Sequence, residues 1–282
     1  MNDYLVWSPL YKVDRTKYLY HYTSVEKAFK ILYYKTLQFA NITTTNDIFE
    51  QKPKLSFDET DLNTFDMVRT IQKYFLKEQN RVRILCFSQD YEKDINMDNL
   101  SRDQRRANVI GRGFALPRMW AQYSSNNEGV CLIINKDKLL NYISAQEIFN
   151  INNKVNYVKN YLTYPMNKEY IIKLYKKIIS NSFDVFSTLV KDDSDFVKFN
   201  FFSKLDDWQS ENEFRILTLV NENNLDKVIK INNIYKFVEG IVVGQNISDE
   251  NCFILHQLVD GNTIIRRIHF DNIITRIQDI WI

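Results

Sequence analysis

An α+β protein, with a mixed or antiparallel sheet flanked by helices, is what this sequence predicts, and three observations carry that expectation. Short apolar runs of strand type are scattered among helical patterns and do not alternate with them as βαβ units would. Hydrophobic residues make up 45% of the 282 residues and aromatics 14%, enough to bury a large core and too much for disorder. Gly (6) and Pro (4) are scarce and no Pro-, Gly- or Ser-rich linker divides the chain. It therefore reads as a single domain over 1–282, with its core at about 18–250.

The elements follow in order. Tyr18 to Tyr22 reads as a strand. Ser24 then caps a helix whose stripe is Val25, Ala28, Phe29 and Leu32, at i, i+3, i+4, i+7. Leu37 to Ile42 reads as a strand, followed by a polar turn, Thr43-Thr44-Thr45-Asn46-Asp47, in which Asn and Asp bond their own backbone. Residues 59–79 read as a helix with Leu62, Phe65, Val68 and Phe75 inward, and Val82 to Ser88 as an apolar strand. Residues 89–118 read as a charged insertion, acidic from Asp90 to Asp98 and then rich in arginine. Pro117 opens a short helix carrying Met119, Trp120 and Tyr123. Gly129 to Asn135 is a buried strand, Lys136 to about Ser144 a helix, and Lys154 to Lys159 a strand. Residues 167–204 read as mostly helical. Strands are expected at Glu213 to Val220, Val228 to Ile231, Gly240 to Gly244 and Thr263 to Phe270. A helix capped by Ser248, with Asp249 and Glu250 in its first turn, runs towards Gly261. A last amphipathic segment ends at Trp281.

Several function classes are disfavoured. The net charge of +2 gives no global footprint for nucleic acid, although a local one at Arg102, Arg105, Arg106, Arg112 and Arg118 can hold phosphates or form a solvated insertion. GxGxxG, GxxxxGK[ST], GxSxG and HExxH are all absent. Cys86, Cys131 and Cys252 lie far apart in apolar runs and read as reduced, buried thiols of a cytoplasmic protein. His21, His256 and His269 show no metal-ligand spacing, so no metal is expected. Met1-Asn2-Asp3-Tyr4 leads into no long apolar run. No stretch approaches the roughly 20 apolar residues of a membrane span. Neither a signal peptide nor a membrane partner is therefore expected.

Four constellations remain. In Glu211-Asn212-Glu213-Phe214-Arg215, residues i, i+2 and i+4 of a strand share a face. Two carboxylates at close range raise each other's pKa, and an arginine lowers them. Such tuning suits glycosidic chemistry, where a carboxylate steadies an oxocarbenium-like centre. An ion pair between Glu213 and Arg215 at the rim of the core is the competing reading. In His21-Tyr22-Thr23, a histidine at a strand end can present a ring nitrogen to a ligand hydroxyl, or be a core histidine satisfied by backbone. Trp120 and Tyr123, at i, i+3, can stack on a planar ring or fill a core. Thr45-Asn46-Asp47-Ile48-Phe49-Glu50 is either a plain turn or a ligand-shaping loop.

Seven segments occur in one order: Leu19-Tyr20-His21-Tyr22-Thr23-Ser24, Asn46-Asp47-x-Phe49-Glu50, Cys86-Phe87-Ser88, Met119-Trp120-Ala121-Gln122-Tyr123, Gly129-Val130-Cys131, Trp208 with Glu211 to Arg215, and Val243-Gly244-Gln245-Asn246-Ile247-Ser248. That order resembles the bacterial family known as domain of unknown function 2971, from about residue 18 to 250. The His-Tyr-Thr strand, the Asn-Asp turn and the Glu-Phe strand are similar to ADP-ribosyltransferases, closest to the DNA-modifying toxin branch. The resemblance implies a split sheet and an enzyme that cleaves the nicotinamide–ribose bond of NAD, its substrate, and passes ADP-ribose to a nucleic-acid or protein acceptor. Glu213, His21 and Tyr123 would be catalytic. Tyr22, Thr23, Asn46, Asp47 and Trp120 would contact NAD, and Glu211 and Arg112 the acceptor. It implies a toxin–antitoxin or antiviral setting, with an antitoxin or sensor as partner. The alternatives are a non-catalytic binding or sensor module of the same family, and a nucleic-acid binder using the Arg102–Arg118 segment.

Overall fold

The computed structural model describes residues 15–57, 64–91, 111–181, 183–259, 263–270 and 275–279. The expectations at Leu62, at Arg102, Arg105 and Arg106, and at Gly261 and Trp281 lie outside these residues.

Strands β1 (Tyr18–Thr23), β2 (Thr36–Gln38), β3 (Ala40–Asn41), β4 (Leu55–Phe57), β5 (Val82–Gln89), β6 (Val130–Asn135), β7 (Ile151–Lys154), β8 (Asn156–Val158), β9 (Tyr164–Met166), β10 (Ser203–Leu205), β11 (Glu213–Leu219), β12 (Lys230–Asn232), β13 (Val238–Val243), β14 (Ile264–Phe270) and β15 (Thr275–Asp279) alternate irregularly with helices. The helices are α1 (Val25–Tyr34), α2 (Phe65–Glu78), α3 (Pro117–Tyr123), α4 (Lys136–Ala145), α5 (Lys168–Ser180), α6 (Val185–Asp192), α7 (Ser194–Phe201) and α8 (Asp249–Leu258). Nine of the described strands form one sheet in the order β15-β14-β13-β6-β1-β5-β11-β7, with β3 also on β5. Its pairs are antiparallel apart from the parallel β13–β14. The class is α+β, with a mixed, mostly antiparallel sheet and helices on its faces.

Local chemistry explains most element ends. The Ser24 hydroxyl accepts from the Lys27 N–H and Ser248 from Asn251, so both helices start where an oxygen is free to take an orphan donor. Pro117 fits the first turn of α3 because its missing N–H would have no partner there. Two expectations need correction. Phe65 is 62% exposed, because α2 begins at that residue and buries Val68, Ile71 and Phe75 instead. The strand expected at Lys154 to Lys159 is two strands, β7 and β8. β7 is a polar sheet edge, Ile-Asn-Asn-Lys, and carries no apolar alternation to read.

The sheet separates its cores by side-chain alternation. One face, with Leu19, Leu85, Phe87, Leu132, Phe214 and Ile216, packs under α1, α4 and α8. The other face carries two separate clusters. Ile84 and Leu217 lie with α2, α5, α6 and α7, while Tyr20, Tyr22, Cys131 and Ile133 lie with Trp120 of α3. The register Tyr20↔Ser88↔Glu213 puts these residues on that second face, between its two clusters.

Candidate functional site

At this seam the sheet also parts. β1 and β5 pair at only two positions, Leu19↔Gln89 and Tyr20↔Ser88. Beyond them the His21 ring turns to the β5 backbone, and its Nδ1–H donates to the Cys86 carbonyl at 3.2 Å. That bond selects the tautomer with a free Nε2 acceptor. Burial lowers the His21 pKa, only partly offset by the Cys86 carbonyl, so the ring is neutral at physiological pH.

The gap opens into a cleft of about 480 Å³. It is lined by His21 and Tyr22 of β1, Asn46, Asp47 and Glu50 of the turn, Ser88 of β5, Tyr123 of α3, Lys204 of β10, and Glu211 and Glu213. β1 and β11 flank β5, and through Ser88 the Tyr20 and Glu213 backbones stand two strand spacings apart, about 10 Å; His21 is the next residue along β1.

The floor is a buried charge cluster. Arg215 grips both oxygens of Glu213, Nε to Oε1 at 2.7 Å and Nη2 to Oε2 at 3.0 Å. Lys204 Nζ stands 2.8 Å from Glu211 and 2.9 Å from Glu213. Arg215 reaches Glu50 at 2.7 Å and donates to the Phe201 carbonyl at 2.6 Å. Burial alone would raise the Glu213 carboxyl, but Arg215, Lys204 and the Cys86 thiol hold it well below the usual carboxylate range. Glu213 is thus a fixed anion. Burial drives Lys54 the other way, down to about 8, with its ammonium donating to the Ser203 carbonyl at 2.5 Å.

Glu211 reaches this cluster by a route the strand reading misses. It ends a 3₁₀ turn, and Asn212 takes a left-handed φ of 42°, so the extended run starts at Glu213. The Asn212 amide holds that kink by donating to the Gln89 and Asp90 carbonyls, both at 3.0 Å. Glu211 then accepts from the Tyr123 hydroxyl at 2.5 Å. Burial and the Glu211 charge raise the Tyr123 pKa, so the ring stays a neutral phenol at the cleft wall.

Three expected contacts are placed elsewhere. Trp120 is fully buried, its indole N–H donating to the Phe114 carbonyl at 2.7 Å and its ring edge-on to Tyr22; it is a core residue, because α3 turns that face onto the sheet. Thr23 is buried and does not line the cleft. Arg112 does not line it either. It pairs with buried Asp90 at 3.2 Å and donates to the Tyr20 hydroxyl at 3.0 Å. Of the cleft residues, Lys204 carries no sequence signal, because a lone lysine in a three-residue strand fits no spacing rule; Ser88 stands in the Cys86-Phe87-Ser88 segment, but nothing in that segment marks it as a cleft residue.

Among the described residues no group of three or more His, Cys, Asp or Glu is arranged to hold a metal ion, and no helix is long and apolar enough to cross a membrane.

Residues 119–216 match the model of a family described as protein of unknown function (DUF2971). The match supports the family resemblance carried by the seven segments. It includes Tyr123, Glu211 and Glu213 and leaves out the His21 strand. No curated protein and no solved structure matches the chain.

Proposed function

We propose that this chain is an NAD-dependent ADP-ribosyltransferase-like enzyme, with a nucleic-acid or protein acceptor. The observation that carries the reading is convergence: His21, Tyr123 and Glu213 come from β1, α3 and β11 and line one cleft, on a scale that a single dinucleotide spans. The parted β1–β5 pair supports the split sheet expected of such enzymes.

In this reading Nε2 of His21 accepts from a ribose hydroxyl. The nicotinamide ring stacks on Tyr123, which Glu211 holds in place. The C–N bond breaks with its electron pair passing to the nicotinamide nitrogen. The positive charge then left on the ribose is steadied by the Glu213 carboxylate. An acceptor lone pair closes on that carbon, and its proton passes to Glu211. By the same resemblance the setting is phage defence or a toxin–antitoxin pair.

A second reading, a non-catalytic binding or sensor module, is favoured by one fact: both oxygens of Glu213 are already held by Arg215 and Lys204. Incubation with NAD labelled in the adenylate, together with cell lysate, separates the two. Transfer by wild type, reduced at least about 100-fold in Glu213→Gln, is expected. Label transfer that survives the substitution in folded protein rejects the role of Glu213. NAD binding without transfer or nicotinamide release favours the module.

A further inference from the structure

On the Asp47 side the cleft has a mouth where Ile48, Phe49 and Tyr161 adjoin Asp47; the transfer reading uses Asp47 but not these three. Phe49 is 47% exposed and Ile48 64% exposed, an unusual display next to a polar cleft. The Phe49 ring leans on Tyr161, with centroids 4.3 Å apart and planes at 42°. The Tyr161 hydroxyl is buried and has no hydrogen-bond partner. Asp47 is only 3% exposed. Its Oδ1 accepts from the Phe49 N–H at 2.9 Å, which fixes carboxylate and aromatic ring in one turn. Its Oδ2 is buried without a partner. Tyr161 packs on Phe49 and Asp47 holds the Phe49 N–H, so the orphan donor and the orphan acceptor belong to one locality.

An unmade hydrogen bond at a buried group costs about 1–3 kcal/mol. A ligand relieves both groups if it offers an acceptor to Tyr161 and a donor to Asp47. A sugar diol or a plain amide offers that pair and leaves the exposed Phe49 face unused. A nucleobase offers it too, as an amine beside a ring nitrogen or carbonyl, and adds a flat face for stacking.

We propose that this mouth is a nucleobase subsite, in which Phe49 supplies the stacking face while the Tyr161 hydroxyl and Asp47 Oδ2 bond one edge of the ring. The base comes either from the adenine of NAD or from a nucleotide acceptor. The subsite does not depend on NAD cleavage.

The test is calorimetric titration of the full chain with AMP, CMP, GMP and UMP, using ribose 5-phosphate as the ringless control. At least one monophosphate binds saturably, and more tightly than the control. Its affinity falls about tenfold or more in Phe49→Ala and in Tyr161→Phe. Tyr161→Phe folds as wild type does, because the hydroxyl it loses has no partner. Repeating the titration with saturating NAD assigns the source: competition points to the adenine of NAD, and independent binding to the acceptor's base. Monophosphates that bind no better than ribose 5-phosphate, or wild-type affinity in both variants, overturn the subsite. Nicotinamide release from NAD is measured in parallel. Its absence with base binding intact counts against the transferase alone.

Discussion

Removing the Arg215 side chain leaves Glu213 and Glu50 each without a guanidinium that stands 2.7 Å away. Both carboxylates are buried, and each loses a compensating charge. Arg215→Ala is therefore expected to lower unfolding free energy by about 3–5 kcal/mol, read as a lower urea midpoint at unchanged slope. Glu213→Gln keeps part of the hydrogen bonding and costs less. At this scale the sequence was half legible. The two-residue spacing on β11 put Glu213 and Arg215 on one face, and the ion pair was one of the two readings it allowed. The structure has that pair, but buried at a cleft floor. Lys204, which joins Glu211 to Glu213, had no signal, because its position depends on the parallel pairing of β10 with β8. Trp120 and Tyr123 show the limit most clearly. The same i, i+3 spacing sends one into the core and the other to the cleft wall, and only the packing of α3 on the sheet distinguishes them.

The cleft's edges depend on how elements meet. The turn between α3 and β6 runs through Ser125, Asn126 and Asn127, all at positive φ, and closes with the Gly129 N–H donating to the Ser124 carbonyl at 2.7 Å. A Cβ on Gly129 would stand 2.3 Å from the Thr23 carbonyl oxygen and 2.7 Å from Ser124 Cβ. Backbone has little room to yield, so Gly129→Ala is expected to cost about 1–3 kcal/mol, seen as a lower thermal midpoint. Element ends with their own chemistry, such as Ser24, Pro117 and Ser248, were readable in advance. Phe65 and β7 were not. The first sits at a helix start whose inward face is set by α5 across from it. The second is an edge strand specified by its partner β11 rather than by its own residues.

Across the whole molecule the charge cluster shapes the pH–stability curve. Lys54 is lowered to about 8 in the folded chain, so between pH 8 and about 10 the unfolded state binds more protons and stability rises with pH. The rise is up to about 3 kcal/mol and should vanish in Lys54→Met. Above that window Tyr20 and Tyr22, raised mainly by burial, reverse the sign, because the unfolded tyrosines ionise first. On the acid side Glu213 is depressed, and Asp184 is lowered to about 2 by Arg81 and Ser187 against its partial burial. Their contribution is complete above about pH 4.5 and is lost as pH falls through the folded values. Guanidinium denaturation from pH 3 to 10 checks both limbs; a flat alkaline limb in wild type would reject the Lys54 assignment.

Periodicity and capping were enough to determine an α+β chain with a buried β1, β5, β6 and β11, because alternation and end chemistry are local properties; they offered His21, Tyr123, Glu211 and Glu213 among several candidates, and the roles given to these came from the family resemblance. Only the tertiary structure decided that these four line one cleft, that Glu213 is held there by Lys204 as well as Arg215, and that Trp120, Thr23 and Arg112 do not line it. Those outcomes depend on where β1 and β5 stop pairing and where two apolar clusters on one sheet face fail to meet, and neither is a property of any single segment.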